Sequence, residues 1–190
     1  MKFEVVSTHF GGAVKVIKQK VFGDGRGFFM EAYNREEFKR IGIDIEFVQD
    51  NLSYSATAGT LRGIHYQLPP KAQTKLVRCI KGVIYDVVVD LRPNSLTFKQ
   101  WEAFVLSEHN KLQLLVPKGF GHAFLTLTDN VLIYYKVDEY YSPEHDRSLA
   151  WNDPDINVEW PYFDEYVLSE KDKSANVLVD HMEELELFRG

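Results

Sequence analysis

The hydrophobic positions of this chain fall in short stretches that are broken at close intervals by Gly, Pro, Asn or Asp. This pattern is typical of an antiparallel β-sandwich or barrel, in which each strand ends at a turn. The clearest stretch, residues 83–91, is rich in β-branched residues and follows Gly82, so we predict a buried strand there. We predict further strands at residues 47–48, 76–80, 112–116 and 131–137.

Helical patterns are confined to short segments. Residues 35–41 follow the N-cap candidate Asn34 and end at Gly42, which predicts one or two helical turns. Residues 177–188 carry hydrophobic side chains at helical spacing, which predicts a C-terminal helix. The chain is therefore predicted to be all-β, an antiparallel jelly roll with a few short helices.

The composition supports a folded chain, because 45% of the 190 residues are hydrophobic and 14% are aromatic. We find no internal repeat and no linker. We therefore predict a single domain over residues 1–190, with N-terminal strands or an arm over 1–25 and an irregular and helical extension over 160–190.

Charge and cysteine content exclude several classes of protein. The net charge is −6 and the Lys and Arg residues are scattered, which disfavours a nucleic-acid partner. Cys79 is the only cysteine, so neither an intrachain disulfide nor a multi-cysteine metal site can form. No apolar run approaches the roughly 18 residues of a membrane span. We expect a cytoplasmic protein with no membrane association.

Three polar motifs are candidates for chemistry. In the first, Arg26 stands between two glycines, where its guanidinium could bind a phosphate or carboxylate; a hairpin turn with solvated charges is the alternative.

The second motif contains His65, which is either a natural general base or a hydrogen-bonded structural histidine. On a regular strand Arg62 would point away from His65, unless Gly63 marks a bulge. Lys75, which follows, could stabilise an oxyanion or simply be solvated.

The third motif places His122 after a glycine-containing turn and two tyrosines, Tyr134 and Tyr135, in the next strand. One of the two phenols must face the interior, where it could donate a proton or pack as an ordinary core tyrosine. Metal chemistry is disfavoured, because jelly-roll metal sites often take two histidines at i and i+2 and no histidine pair here has that spacing. We expect no metal and no cofactor.

Taken together and in order, these motifs resemble the dTDP-4-dehydrorhamnose 3,5-epimerase family, which belongs to the cupin class. The resemblance extends from Phe22 to about Asp172. Its segments are 24–31, 47–51, 61–65, 72–77, 86–92, 117–124, 135–136, 151–154 and 168–172. It implies a metal-free homodimeric jelly roll that acts on a nucleotide-linked 4-keto-6-deoxyhexose.

The resemblance also implies roles for particular residues. His65 matches the catalytic base, Asp172 its paired carboxylate, Tyr135 the proton donor, and Lys75 a lysine near the keto oxygen of the substrate. Other residues match or adjoin the family's positions that hold the sugar, the diphosphate or the nucleobase of the substrate. They are Arg26, Glu31, Gln49, Asp50, Asn51, Arg62, Lys75, His122, Asp146 and Lys171.

Three positions depart from the family pattern. Asp146 replaces a more common glutamate and Lys171 a frequent arginine, changes that keep the charge but alter reach and hydrogen-bonding geometry. His122 lies in Gly-His-Ala where Ala-His-Gly is usual. The rival interpretations are a single-centre epimerase, a 3,4-ketoisomerase, a non-catalytic sugar-nucleotide binder and a metal-dependent cupin oxygenase.

Overall fold

The computed structural model describes residues 2–189. Its strands are β1 (Phe3–His9), β2 (Val14–Gln19), β3 (Phe22–Asp24), β4 (Gly27–Phe29), β5 (Gln49–Ser55), β6 (Leu61–Gln67), β7 (Lys75–Lys81), β8 (Val83–Asp90), β9 (Trp101–Ser107), β10 (Gln113–Val116), β11 (Phe120–Thr126), β12 (Val131–Val137) and β13 (Asp146–Leu149). The α-helices are α1 (Arg35–Arg40), α2 (Glu170–Lys173) and α3 (Met182–Leu185).

The main strands form two antiparallel sheets. The six-stranded sheet has the order β1-β2-β10-β7-β12-β5 and the five-stranded sheet the order β13-β6-β11-β8-β9. Strands β3 and β4 pair only with each other and form a hairpin. This arrangement confirms the predicted all-β jelly-roll fold.

The principal core lies between the sheets. Val77 and Ile133 of the six-stranded sheet pack in one buried cluster with Val88 and Phe124 of the five-stranded sheet. Because alternate residues of a strand face opposite sides of its sheet, the neighbours of each core residue along its strand face the outer side of that sheet. Secondary clusters cover parts of both outer faces, one built around Phe38 of α1.

Most predicted strands are confirmed. Residues 131–137 match β12, and residues 76–80, 83–91 and 112–116 coincide with β7, β8 and β10 to within a residue at each end. The prediction at residues 47–48 is wrong, because the strand begins at Gln49. Phe47 packs edge-on against Tyr33 and joins the cluster around α1, so its hydrophobicity reflects packing outside the strand.

The first predicted helix is confirmed as α1, whose N-cap Asn34 accepts a hydrogen bond from the Glu37 amide. The predicted C-terminal helix buries the expected hydrophobic face, but it is not one continuous helix. Short 3₁₀ turns flank the four residues of α3. The residues that carried the helical spacing all pack in the cluster on the five-stranded sheet: Leu178, Met182, Leu185 and Phe188. None of the helices within residues 2–189 is long and apolar enough to cross a membrane.

Candidate active site

A cavity of about 400 Å³ opens between the two sheets. Residues from β5, β7 and β12 line one wall, and residues from β6 and β11 line the other. The lining residues are Leu52, Ser53, Tyr54, Arg62, His65, Lys75, His122, Phe124, Ile133 and Tyr135. Five of the predicted site residues, namely Arg62, His65, Lys75, His122 and Tyr135, therefore share one cavity.

A β-bulge in β6 allows Arg62 and His65 to face the same cavity. His65 lies opposite His122 of β11, whereas Arg62 lies opposite Phe124, so two residues of β6 oppose one residue of β11. Such a bulge shifts the alternation of side chains by one position. The structure thus confirms the bulge at Gly63 that the sequence left open.

His65 is paired with Asp172, which lies in the short helix α2. Its Nε2 lies 2.6 Å from Asp172 Oδ1. Ser169 caps α2 through its hydroxyl, which accepts from the Asp172 amide at 3.1 Å and donates to Asp172 Oδ2 at 2.8 Å. Asp172 is almost fully buried, and burial alone would raise its pKa. The hydrogen bonds from His65, Ser169 and the Gly63 amide instead hold the pKa below its ordinary value.

His122 is paired with a second buried carboxylate, Asp86 of β8. Its Nε2 lies 2.9 Å from both Asp86 oxygens. Asp86 is completely buried, and this burial raises its pKa, although the charges of His122 and Lys75 act in the opposite direction. The paired oxygens fix the orientation of the His122 ring in the cavity wall.

Lys75 enters the cavity from the first residue of β7. Burial lowers its pKa to about 8, while the carboxylates of Asp146 and Asp86 partly oppose that shift. Its Nζ approaches the carbonyl oxygen of His65 at 3.5 Å. A lysine in this environment is a compact positive charge with few competing solvent contacts, as a developing oxyanion requires.

Tyr135 and its neighbour Tyr134 face opposite sides of β12. Tyr135 lines the cavity, and its pKa is raised by burial, with the positive charge of Arg62 opposing the shift. Tyr134 lies on the outer face together with Lys136. As predicted, one of the two phenols points inward, and it is that of Tyr135.

A chain of hydrogen bonds connects four further predicted residues with Tyr141, which was not predicted. Gln49 donates to Asn51 at 2.9 Å and accepts from the Tyr141 amide at 3.1 Å. The Tyr141 hydroxyl donates to Asp146 at 3.2 Å, and Lys171 also donates to Asp146. This chain, the polar rim, consists of Gln49, Asn51, Tyr141, Asp146 and Lys171. Two of the three departures from the family pattern, Asp146 and Lys171, thus pair with each other.

Three predicted residues neither line the cavity nor belong to the polar rim or the His65–Asp172 pair. Asp50 faces the outer side of β5, where Lys136 donates to it at 2.7 Å. Arg26 lies in the β3–β4 hairpin with its side chain 90% exposed and paired with Asp24. Glu31 follows the hairpin and is likewise absent from the cavity wall.

The comparisons with known proteins decide the family. A family model described as dTDP-4-dehydrorhamnose 3,5-epimerase matches residues 8–180. The dTDP-4-dehydrorhamnose 3,5-epimerase of Sinorhizobium fredii is 50% identical over 88% of this chain and 86% of its own length. The chain belongs to the dTDP-4-dehydrorhamnose 3,5-epimerase family. It is therefore an enzyme, an isomerase of sugar nucleotides.

Solved structures of the family have the same fold. The epimerase of Bacillus anthracis, solved with TDP and PPi bound, is 50% identical, with a TM-score of 0.90 over 93% of this chain and 99% of that one. A family member from Legionella pneumophila, solved in complex with dTDP-4-keto-L-rhamnose, is 39% identical, with a TM-score of 0.90 over 96% of each chain.

Several polar residues of this epimerase-family site were missed by sequence reasoning, among them Tyr141 of the polar rim, Asp86 and Ser169. Asp86 interrupts the β-branched run of β8, and a carboxylate in a buried strand needs a partner, so its position was a usable signal. Ser169 stands three residues before Asp172, the spacing of a helix cap, although α2 was not predicted. Within residues 2–189, no group of three or more His, Cys, Asp or Glu residues is arranged to hold a metal ion.

Proposed function

We propose that this enzyme inverts C3 and C5 of dTDP-4-dehydro-6-deoxy-D-glucose, giving dTDP-4-dehydro-L-rhamnose for cell-surface polysaccharide, without a metal or other cofactor. The observation that carries the proposal is the His65–Asp172 pair, with a 2.6 Å hydrogen bond, in the same cavity as Lys75 and Tyr135. The C4 ketone acidifies the protons on both neighbouring carbons, since either carbanion delocalises into an enolate.

His65 is the proposed base at both carbons. Because an ionised carboxylate only accepts hydrogen bonds, Asp172 keeps the proton of neutral His65 on Nε2 and leaves a lone pair on Nδ1. A third of the His65 side chain is exposed, so the ring can reach a bound sugar. Once His65 has taken a proton, the carboxylate stabilises the imidazolium, as the aspartate of a catalytic triad does.

Lys75 and Tyr135 supply the remaining steps. The charge of Lys75 stabilises the enolate oxygen, an effect that is stronger for a buried charge than for a charge in water. Tyr135 returns a proton to the opposite face of the ring. This role is supported by its place in the six-stranded sheet, across the cavity from His65 in the five-stranded sheet. A base and an acid on opposite faces invert a carbon centre.

Further residues are proposed to hold the substrate. Arg62 and His122 lie in the cavity wall, where they suit the sugar and the diphosphate. The polar rim, which includes Asp146 and Lys171, suits the nucleotide. Relatives solved with TDP and with a dTDP-sugar bound support a nucleotide site in this family. Asp50 stays a predicted substrate residue, although its side chain faces the outer side of β5.

We also propose a homodimer in which the hairpin of one protomer completes the cavity of its partner. Arg26 and Glu31 would then bind substrate across the interface. The exposed Phe28 and Phe29 of the hairpin, together with exposed Leu52 and Tyr54 on the edge strand β5, support such a contact, since large apolar patches mark interaction surfaces.

A mixing experiment tests the shared site. Arg26→Ala and His65→Ala homodimers are each expected to be nearly inactive. A mixed dimer regains one complete site, because the intact His65 of one protomer receives Arg26 from the other. Recovery of activity after mixing and subunit exchange supports the shared site; a fully active monomer or no recovery contradicts it.

A cytoplasmic location is also proposed. A free, buried Cys79 is consistent with a reducing compartment, and nucleotide-activated sugars are made from cytoplasmic nucleotides. The metal-free reaction is tested by metal analysis of the purified enzyme and by assay in a chelator, with unchanged turnover expected.

The reaction itself is tested by incubating the enzyme with dTDP-4-dehydro-6-deoxy-D-glucose in D₂O and following C3 and C5 by NMR. Deuterium at both carbons together with the L-sugar is expected. Exchange at one carbon alone would indicate a single-centre epimerase or ketoisomerase, and no exchange would leave a binding protein.

A further inference from the structure

The carboxylate of Asp172 has two oxygens, and only one of them contacts His65. Oδ1 receives His65 Nε2 at 2.6 Å, while Oδ2 receives the hydroxyl of Ser169 at 2.8 Å. Asp172 is only 4% exposed, so water does not compete freely for Oδ2. A buried carboxylate needs a donor at each oxygen to stay ionised and to keep one orientation.

The Ser169 hydroxyl is itself held in place. Its oxygen accepts from the Asp172 amide at 3.1 Å, so its proton is directed to the carboxylate of the same residue. The other side of Asp172 is closed by Gly63, where an added Cβ would lie 2.7 Å from Oδ1. The carboxylate is therefore held between the bulge of β6 and the start of α2.

We infer that Ser169 is a positioning residue for the reaction, the third member of a Ser169–Asp172–His65 relay that sets the tautomer and the orientation of the base. Ser169 is not among the residues that line the cavity, so it acts through Asp172 and not on the substrate. The turnover part of this inference rests on the proposed function, whereas the tautomer part does not.

The relay predicts a loss of kcat without a change in KM. Ser169→Ala removes a hydrogen bond to a charged group, which corresponds to a decrease in kcat of about tenfold or more. Ser169→Gly keeps most of the helix cap but has no hydroxyl, so it is expected to lose as much kcat as Ser169→Ala with better thermal stability. Ser169→Thr keeps the donor and is expected to restore kcat.

A matched control lies at the other end of the same helix. The Ser174 hydroxyl donates to the backbone carbonyls of Glu170 at 2.8 Å and Lys171 at 3.4 Å, and not to the Asp172 carboxylate. Ser174→Ala is therefore expected to keep full kcat and to show how much of any loss comes from a weaker α2.

The deciding readout is the nitrogen NMR spectrum of His65 in the substrate-free enzyme, which a merely structural role for Ser169 would not change. The wild type and Ser169→Thr are expected to show the Nε2–H tautomer, and Ser169→Ala and Ser169→Gly a mixture of both tautomers. An unchanged tautomer with unchanged kcat in folded Ser169→Gly would overturn the inference. Inactive wild-type enzyme with the expected tautomers would instead contradict the proposed function alone.

Discussion

Two histidine–aspartate pairs adjoin the cavity, with their histidines on neighbouring strands, and the pairs differ in exposure and in the pKa of the carboxylate. His65 and His122 lie opposite each other in β6 and β11. The side chain of His65 is 33% exposed and that of His122 only 9%. The carboxylate of Asp172 has a lowered pKa because its hydrogen bonds outweigh burial, whereas burial raises the pKa of Asp86.

These differences support the proposed division between a base, His65, and a positioning group, His122. A base gains and loses a proton in each turnover, so it needs access to the substrate and a partner that stays ionised. The Asp172 pair meets both requirements. The Asp86 pair instead holds one nearly enclosed ring at 2.9 Å from both oxygens, an arrangement that suits a fixed hydrogen-bonding group. The local residue pattern does not distinguish the two histidines in this way, because both stand next to glycine-containing segments; only the family resemblance implied different roles for them.

The largest contrast is expected from the carboxylates. Asp172→Asn should lower kcat about 10³-fold, because the amide no longer supports the imidazolium and permits the wrong tautomer. Asp86→Asn should lower kcat/KM only about tenfold, since His122 keeps a hydrogen-bonding partner. Steady-state kinetics of the two variants measures the difference. Equal losses of activity in Asp172→Asn and Asp86→Asn would contradict the division of roles between the His65 and His122 pairs.

A smaller effect is expected from Lys75, which lies near both pairs: its Nζ approaches the His65 carbonyl and its charge acts on Asp86. Since burial lowers its pKa to about 8, the free enzyme should lose the lysine charge, and therefore kcat/KM, as the pH rises above that value. Lys75→Met should lower kcat/KM about 10²-fold and abolish this alkaline decrease. Lys75→Arg should keep its charge to higher pH. An alkaline decrease that persists in Lys75→Met would assign it to another group.

The smallest effect is expected at the bulge beside His65. Gly63→Ala would place a Cβ 2.7 Å from Asp172 Oδ1, so the carboxylate must shift, and kcat should fall about tenfold. If the loss passes through Asp172, the double variant Gly63→Ala/Asp172→Asn should be no less active than Asp172→Asn alone. Additive losses in the double variant would show that Gly63 acts elsewhere.

The fold was predictable because β-branched runs bounded by turn residues specify strands locally, as residues 83–91 and 131–137 illustrate. The cavity was predictable in part. The resemblance indicated His65 and Asp172, and a single glycine suggested the bulge that aims Arg62. Asp86 was missed because its role depends on a contact with His122 that only the folded chain brings together. Ser169 was missed because α2, the helix that it caps, was not predicted.

The positions of Arg26 and Glu31 show a second limit. Their side chains are suited to binding a phosphate or a sugar, yet within a single chain Arg26 lies in an exposed hairpin. Composition and spacing do not reveal whether a hairpin contacts its own cavity or that of a partner, because the choice depends on an interface between chains.

The central claim, that His65 removes the protons and His122 holds the substrate, is tested most directly by solvent exchange. His65→Asn and His122→Asn would be incubated in D₂O with dTDP-4-dehydro-6-deoxy-D-glucose under saturating conditions, and deuterium at C3 and C5 followed by NMR. We expect no exchange above background with His65→Asn, and exchange at both carbons, with a raised KM, in His122→Asn. Exchange that persists in His65→Asn and disappears in His122→Asn would contradict the account.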